Sequence, residues 1–137
     1  MSKLGDILVV ENDDLIRALL TETLSEEGYV VRSVSDRAGM HRALDIQPPD
    51  LLLCDVDLDR GPGLSLIDDV HVLHSAAVPM VLLTTNVWTA RSLARQGLTF
   101  CLLKPYDLDD LLSSVARNIH SSGTDDSTSL LERAVAA

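Results

Sequence analysis

The sequence predicts an α/β fold, a five-stranded parallel sheet with helices on both faces. Three observations lead there. Apolar runs of strand length alternate with longer segments whose apolar residues recur at helical spacing. Five such strand–helix units follow one another without interruption, and right-handed crossovers between them favour parallel pairing. The central runs are continuously apolar, as expected of strands covered on both sides.

The first strand is Ile7 to Val10, a short run rich in β-branched residues. Asn12, Asp13 or Asp14 can cap the helix that follows, in which Leu15, Ile16, Leu19, Leu20 and Leu24 recur at helical spacing until Gly28 stops it. Tyr29 to Val34 reads as the second strand, and Asp36 to about Ile46 as a weaker helix broken by Pro48-Pro49. Leu51 to Asp55 is the third strand; a glycine-rich loop leads from it to a helix carrying Leu64, Ile67, Val70 and Leu73. Pro79 precedes the fourth strand, Met80 to Thr84, and a shorter helix near Val87 to Gln96 is closed by Gly97. Phe100 to Leu103 is the fifth strand. The last helix opens at Asp107 with Asp110 in its first turn, where the helix dipole favours an acid. Leu108, Leu111, Leu112, Val115 and Ile119 share one face of it.

The chain has 137 residues, the size of one domain. Residues 1–120 carry the alternating pattern, and 121–137, opening on Ser-Ser-Gly-Thr-Asp-Asp-Ser-Thr-Ser, read as a flexible polar tail. Aromatics make up only 3% of the residues, so Leu, Val, Ile and Ala must build the core. The net charge of -10 and the scatter of the arginines argue against direct binding to nucleic acid or anionic lipid. No apolar run reaches the ~20 residues of a membrane span, and no signal-peptide pattern opens the chain, so the expected location is cytoplasmic. Cys54 and Cys101 lie in apolar runs and read as buried free thiols; a zinc site would need more ligands at short spacing.

Chemistry collects at the strand ends. The third strand runs into three carboxylates in "LLLCDVDLDRGPG", Leu51 to Gly63. The first ends in Glu11-Asn12-Asp13-Asp14, the fourth in Thr84-Thr85-Asn86, the fifth in Lys104-Pro105. In a parallel sheet these ends meet at one edge, where ligands bind in such folds. Like charges packed so closely repel, which makes sense if a cation is held there or one carboxylate reacts. Lys104 and Lys3 are the two lysines of a chain that otherwise uses arginine. Ending an apolar strand, Lys104 reads as a point charge for this edge, the alternative being a snorkelling surface lysine.

"ILVVEND", "PDLLLCDVDLDRGPGL", "VPMVLLTTN" and "LLKPYDLDDLL" together resemble the receiver domain of two-component response regulators over about residues 5 to 120. The resemblance implies a flavodoxin-like (βα)5 domain with strand order 2-1-3-4-5. It implies a phosphorelay signalling switch, not an enzyme beyond slow autodephosphorylation. Asp55 matches the aspartate that accepts a phosphoryl group from a histidine kinase or phosphotransfer protein. Glu11 and Asn12 match the acidic pair that places Mg²⁺, with Asp55 and the Asp57 carbonyl as further metal ligands. Thr84 matches the hydroxyl residue that turns toward the phosphoryl oxygens, and Lys104 the lysine that pairs with Asp55 or its phosphate. These types suit the chemistry, because phosphoryl transfer is mostly positioning and charge neutralisation. A downstream protein partner is implied. So is a possible homodimer through the face of the fourth helix, fifth strand and fifth helix.

Several positions depart from that pattern. Asn12 stands where aspartate is usual; its amide can coordinate but lacks the charge, so weaker Mg²⁺ binding is expected. The Asp57 side chain is either a compensating metal ligand or a solvated loop acid. Asp59 replaces a common proline and reads as a solvated turn residue. Thr85 replaces a small residue, and its branched side chain is expected to restrict access to Asp55. Asn86 and Asp57 occupy positions that tune phosphoryl lifetime. Cys101 sits where an aromatic switch residue is usual, and Phe100 beside it points to the opposite face. The segment from Thr84 to Lys104 is about two residues short, so the fourth helix or its leading loop is expected to be trimmed. His71 and His74, three apart, are a metal pair, a phosphotransfer site or simply a solvated helix face. Trp88 is a partner contact or ordinary packing. Two rival readings stand beside the switch. One is a phosphorylation-independent pseudo-receiver, acting as an interaction or dimerisation module. The other is a phosphatase of the haloacid dehalogenase type, which Asp55-Val56-Asp57 also resembles.

Overall fold

A computed structural model describes residues 4–58, 65–98 and 100–119, with no side-chain detail at 65–67. The tail at 121–137, Asp59 and its loop, Leu64 and the Ile67 side chain lie outside the described residues.

The elements follow in strict alternation: β1 (Asp6–Val10), α1 (Asp14–Glu26), β2 (Val30–Val34), α2 (Arg37–Ile46), β3 (Leu51–Asp55), α3 (Ser65–Ser75), β4 (Met80–Thr84), α4 (Val87–Arg95), β5 (Cys101–Leu103) and α5 (Leu108–Asn118). The strands form one parallel sheet in the order β2-β1-β3-β4-β5. Chain order reverses between β1 and β3, which puts the carboxyl ends of those strands at the switch point where a crevice opens.

Strand alternation divides the core into two layers. Ile7, Val9, Leu51, Leu53, Val81 and Leu83 face one side, where Leu20 and Leu24 of α1 and Leu111 and Val115 of α5 cover them. Leu8, Val10, Leu52, Cys54, Met80 and Leu82 face the other, under Met40 of α2, Val70 of α3 and Leu93 of α4. All five residues of β3 and of β4 are buried. Each fully buried leucine contributes ~1.5–3 kcal/mol relative to exposure, so the middle of the sheet is its most strongly held part. Gly28 and Gly97 follow α1 and α4 with φ of 105° and 89°, the left-handed conformation that ends helices and that glycine adopts without a Cβ clash.

Some sequence expectations change. In α1 only Leu20 and Leu24 are buried, while Leu15 and Leu19 are exposed. At about 100° per residue Leu20 and Leu24 stack on one line, whereas Leu15 and Leu19 turn away toward solvent. Leu108 is also exposed, standing at the open start of α5. Phe100 is not part of β5, although its carbonyl still accepts a hydrogen bond from the Leu82 N–H at 2.8 Å. The fourth helix is short, and only Thr85 and Asn86 separate it from β4.

Candidate functional site

The carboxyl ends of β1, β3, β4 and β5 bring Glu11, Asp55, Thr84 and Lys104 to one edge. Glu11 is held just past β1 by its backbone N–H, which donates to the Val34 carbonyl at 3.1 Å. Its carboxylate is 1% exposed. Oε2 accepts from the Asp13 N–H at 3.2 Å, but Oε1 is buried with no hydrogen-bond partner. Asp55 ends β3 and is 3% exposed. Its Oδ1 accepts from the Asp57 N–H at 2.8 Å, and its Oδ2 from Lys104 Nζ at 2.6 Å. Lys104 Nζ also lies 3.7 Å from Glu11 Oε1. The Lys104 backbone N–H donates to the Thr84 carbonyl at 2.8 Å, extending the β4–β5 ladder by one residue. The Lys104-Pro105 peptide is cis.

The electrostatics follow from burial and pairing. Burial raises the Glu11 carboxyl above its ordinary value, and the nearby Asp55 charge pushes the same way, against the Asp13 N–H and Lys104. For Lys104 burial works against the charge but is outweighed by the hydrogen bond to Asp55 and the charges of Asp55, Glu11 and Asp57, so the ammonium is held above its ordinary range. One lysine therefore balances two buried carboxylates. An orphaned buried oxygen facing an aspartate and an ammonium is costly unless a ligand completes it.

Thr84, fully buried, is brought to this edge but points to Asp57 rather than Asp55. Its hydroxyl donates to Asp57 Oδ1 at 2.7 Å. Asp57 Oδ2 accepts from the Thr85 N–H at 2.7 Å and from the Thr85 hydroxyl at 3.0 Å. The Asp57 side chain is thus not a loosely solvated loop acid; its carboxylate is engaged with two threonines. Burial raises its carboxyl; the hydrogen bonds from Thr84 and Thr85, with Lys104, outweigh this and hold it below the usual range. The Thr85 side chain is likewise engaged with Asp57 and exposed at the surface.

Asn86 has a role that sequence reasoning missed. Its Oδ1 accepts from the Trp88 and Thr89 N–H groups at 2.9 and 3.2 Å, making it the N-cap of α4, while its own N–H donates to the Thr84 hydroxyl oxygen at 3.1 Å. An asparagine directly before a helix is a capping signal that could have identified it. The Asp57–threonine contact had no such signal, because its partners lie 27 and 28 residues apart. Cys101 is half-buried against the core layer under α4, and burial, with the Asp57 charge, pushes its thiol up to about 11. It is a neutral packing residue at neutral pH. Trp88 is exposed, which removes ordinary packing as its reading; the Arg91 guanidinium lies 5.4 Å from its ring centroid. Among the described residues no group of three His, Cys, Asp or Glu is arranged to hold a metal, His71 and His74 included.

The residues nonetheless fit a Mg²⁺ ion in chemical type. Glu11 and Asp55 supply two buried carboxylates, one with an oxygen that makes no hydrogen bond, and hard oxygen donors of this kind suit Mg²⁺. Asn12 follows Glu11 in the chain, is exposed and adds no charge.

A family model for the response regulator receiver domain matches residues 7–116. The chain belongs to that family. As a receiver domain it is similar to the DNA-binding transcriptional regulator NtrC of Proteus hauseri, 29% identical over 117 residues, 84% of this chain and 24% of that protein. It also resembles the transcriptional regulatory protein PdtaR of Mycobacterium tuberculosis, 30% identical over 80% of this chain and 54% of that protein. The chain spans about a quarter of the length of the NtrC relatives it matches. Among solved structures, the receiver domain of NtrX from Brucella abortus superposes with a TM-score of 0.70 at 33% identity, covering 82% of this chain and 96% of that one. A response regulator receiver protein from Pseudomonas putida gives 0.73 at 25% identity, over 86% and 99%. Receiver domains are signalling switches of two-component systems. The haloacid dehalogenase reading is set aside, since the receiver match runs through the whole alternating pattern. No described helix is long and apolar enough to cross a membrane.

Proposed function

We propose that this receiver domain is a cytoplasmic phosphorylation switch in which Asp55 is the acceptor. The supporting observation is the 2.6 Å contact of Lys104 Nζ with Asp55 Oδ2 beside a buried Glu11 oxygen that makes no hydrogen bond. An Asp55 oxygen attacks the phosphorus of a phosphohistidine on a histidine kinase or phosphotransfer protein. The P–O bond forms as the P–N bond breaks, and the imidazole nitrogen leaves with the bonding pair. Lys104 neutralises charge on the acceptor and then on the phosphoryl oxygens. Glu11, Asp55 and the Asp57 carbonyl would hold Mg²⁺, with Asn12 a weak contributor; when bound, the ion supplies the further positive charge that an anionic donor requires. Slow hydrolysis of the acyl phosphate returns the domain to rest. Residues 1–120 form the switch and 121–137 a tail. The output passes to a downstream protein. Exposed Trp88, Phe100, Leu103 and Leu108 support the α4–β5–α5 face as its contact or as a homodimer surface.

Mass spectrometry after incubation with acetyl phosphate and Mg²⁺ tests this: one phosphoryl group should appear at Asp55 and be absent from Asp55→Asn. A pseudo-receiver is the second reading, favoured by the commitment of Thr84 to Asp57. It predicts no mass gain while partner binding persists.

A further inference from the structure

The Thr84 hydroxyl has a single proton, and Asp57 holds it at 2.7 Å. The same oxygen accepts the Asn86 N–H, and its one proton is committed to Asp57. Asp57 also takes the Thr85 N–H and hydroxyl. One carboxylate thus ties the loop after β3 to the turn between β4 and α4. That turn leads directly to the α4 cap, where Asn86 holds the N–H groups of Trp88 and Thr89. A phosphoryl group on Asp55, two residues from Asp57, would bring strong acceptor oxygens and more negative charge to the same place. It would compete with Asp57 for these donors and repel its carboxylate.

We propose that Asp57 is a resting-state latch: its carboxylate withholds the Thr84 hydroxyl and the Thr85 amide from Asp55. Phosphorylation acts by taking those donors away, which loosens Asn86 and the first turn of α4. This rests on Asp55 being the acceptor. Asp57 is therefore a positioning residue, acting through the threonines rather than on the phosphoryl group. In this chain the device reaches α4 through main-chain amides and a helix cap. It does not need a rotating aromatic ring at position 101, where the chain has a packed cysteine. The reporter is built in, because Trp88 is the one tryptophan of the chain and its N–H is capped by Asn86.

The test uses beryllofluoride, a phosphoryl mimic, at Mg²⁺ concentrations that saturate each protein, so that a changed metal affinity does not enter. Trp88 fluorescence reports binding in the wild type, Asp57→Ala and Thr85→Val; the last removes one latch hydrogen bond without changing charge. Amide hydrogen exchange at Thr85 and Trp88 is read in parallel without the mimic. The latch requires Thr85 exchange to speed up in Asp57→Ala. It also requires beryllofluoride to bind on the order of tenfold tighter there, the equivalent of ~1.4 kcal/mol, with Thr85→Val between the two. Equal or weaker binding in Asp57→Ala, or unchanged Thr85 exchange, overturns the latch while leaving Asp55 as acceptor. A wild type that gives no response, with Asp55→Asn identical to it, overturns the acceptor reading itself and the switching role of Asp57 with it.

Discussion

Asp55 and Asp69 are both carboxylates met by a cation, yet they differ in what surrounds them. Asp69, on α3, takes the Arg37 guanidinium of α2 in two hydrogen bonds, Nε to Oδ2 at 2.5 Å and Nη2 to Oδ1 at 3.1 Å. His41 Nε2 lies 3.0 Å from the same Oδ2. Every oxygen there has a partner, and the Arg37 side chain is 41% exposed, so the cluster staples two helices at the rim of the fold. At Asp55 one ammonium serves two buried carboxylates and an oxygen of Glu11 is left over. An ion pair alone therefore does not mark a functional site. A buried surplus of negative charge, placed at the carboxyl edge of the sheet, does.

The comparison can be broken most severely at Lys104. Lys104→Met should leave two buried carboxylates without a cation, costing ~2–3 kcal/mol, less than the loss for a fully enclosed pair because water reaches the lysine. Urea denaturation at neutral pH measures it, and a cost below that of Asp69→Asn would equate the two clusters. Next, Asn12→Asp should restore a charge beside Glu11 and tighten Mg²⁺ binding on the order of tenfold. Isothermal titration reads this directly; unchanged affinity would show that position 12 does not face the metal.

Glu11→Gln should stabilise the metal-free protein by ~1 kcal/mol, since it removes a buried charge whose solvation is incomplete. The pH dependence gives the sign. A carboxyl raised on folding contributes stability below its ordinary value, near 4.5, and loses it as pH rises through the folded value. Asp69 behaves oppositely. The Arg37 hydrogen bond holds its carboxyl low, so its contribution is present above the ordinary value of 3.8 and is lost as pH falls through the folded one. Melting curves across the acid range should thus show Glu11→Gln flattening the decline toward neutral pH and Asp69→Asn flattening the loss toward acid. The smallest effect is that of Asp69→Asn at neutral pH, below ~1 kcal/mol because the pair is half-exposed and screened. It should leave phosphorylation at Asp55 unchanged.

Local patterning carried much of the fold. Continuous apolar runs marked β3 and β4 because both faces are covered, and Gly28 and Gly97 marked helix ends because they take left-handed backbone. The α1 stripe was read too wide, since helical spacing alone does not say which of two neighbouring lines of leucines meets the sheet. Chain order and strand ends also delivered Glu11, Asp55, Thr84 and Lys104 to one edge. Asn86 was legible as a cap and was overlooked.

The sequence by itself determined the element order, the parallel sheet and the edge on which the reactive residues gather, because hydrophobic period and strand direction are properties of short segments. Only the tertiary structure decided which donor serves which carboxylate. Lys104 reaches Asp55 across 49 residues, and Thr84 turns to Asp57 across 27. Asp55, ending β3, and Asp57, two residues on, are the same letter; folding sets a lysine against the first and two threonines against the second.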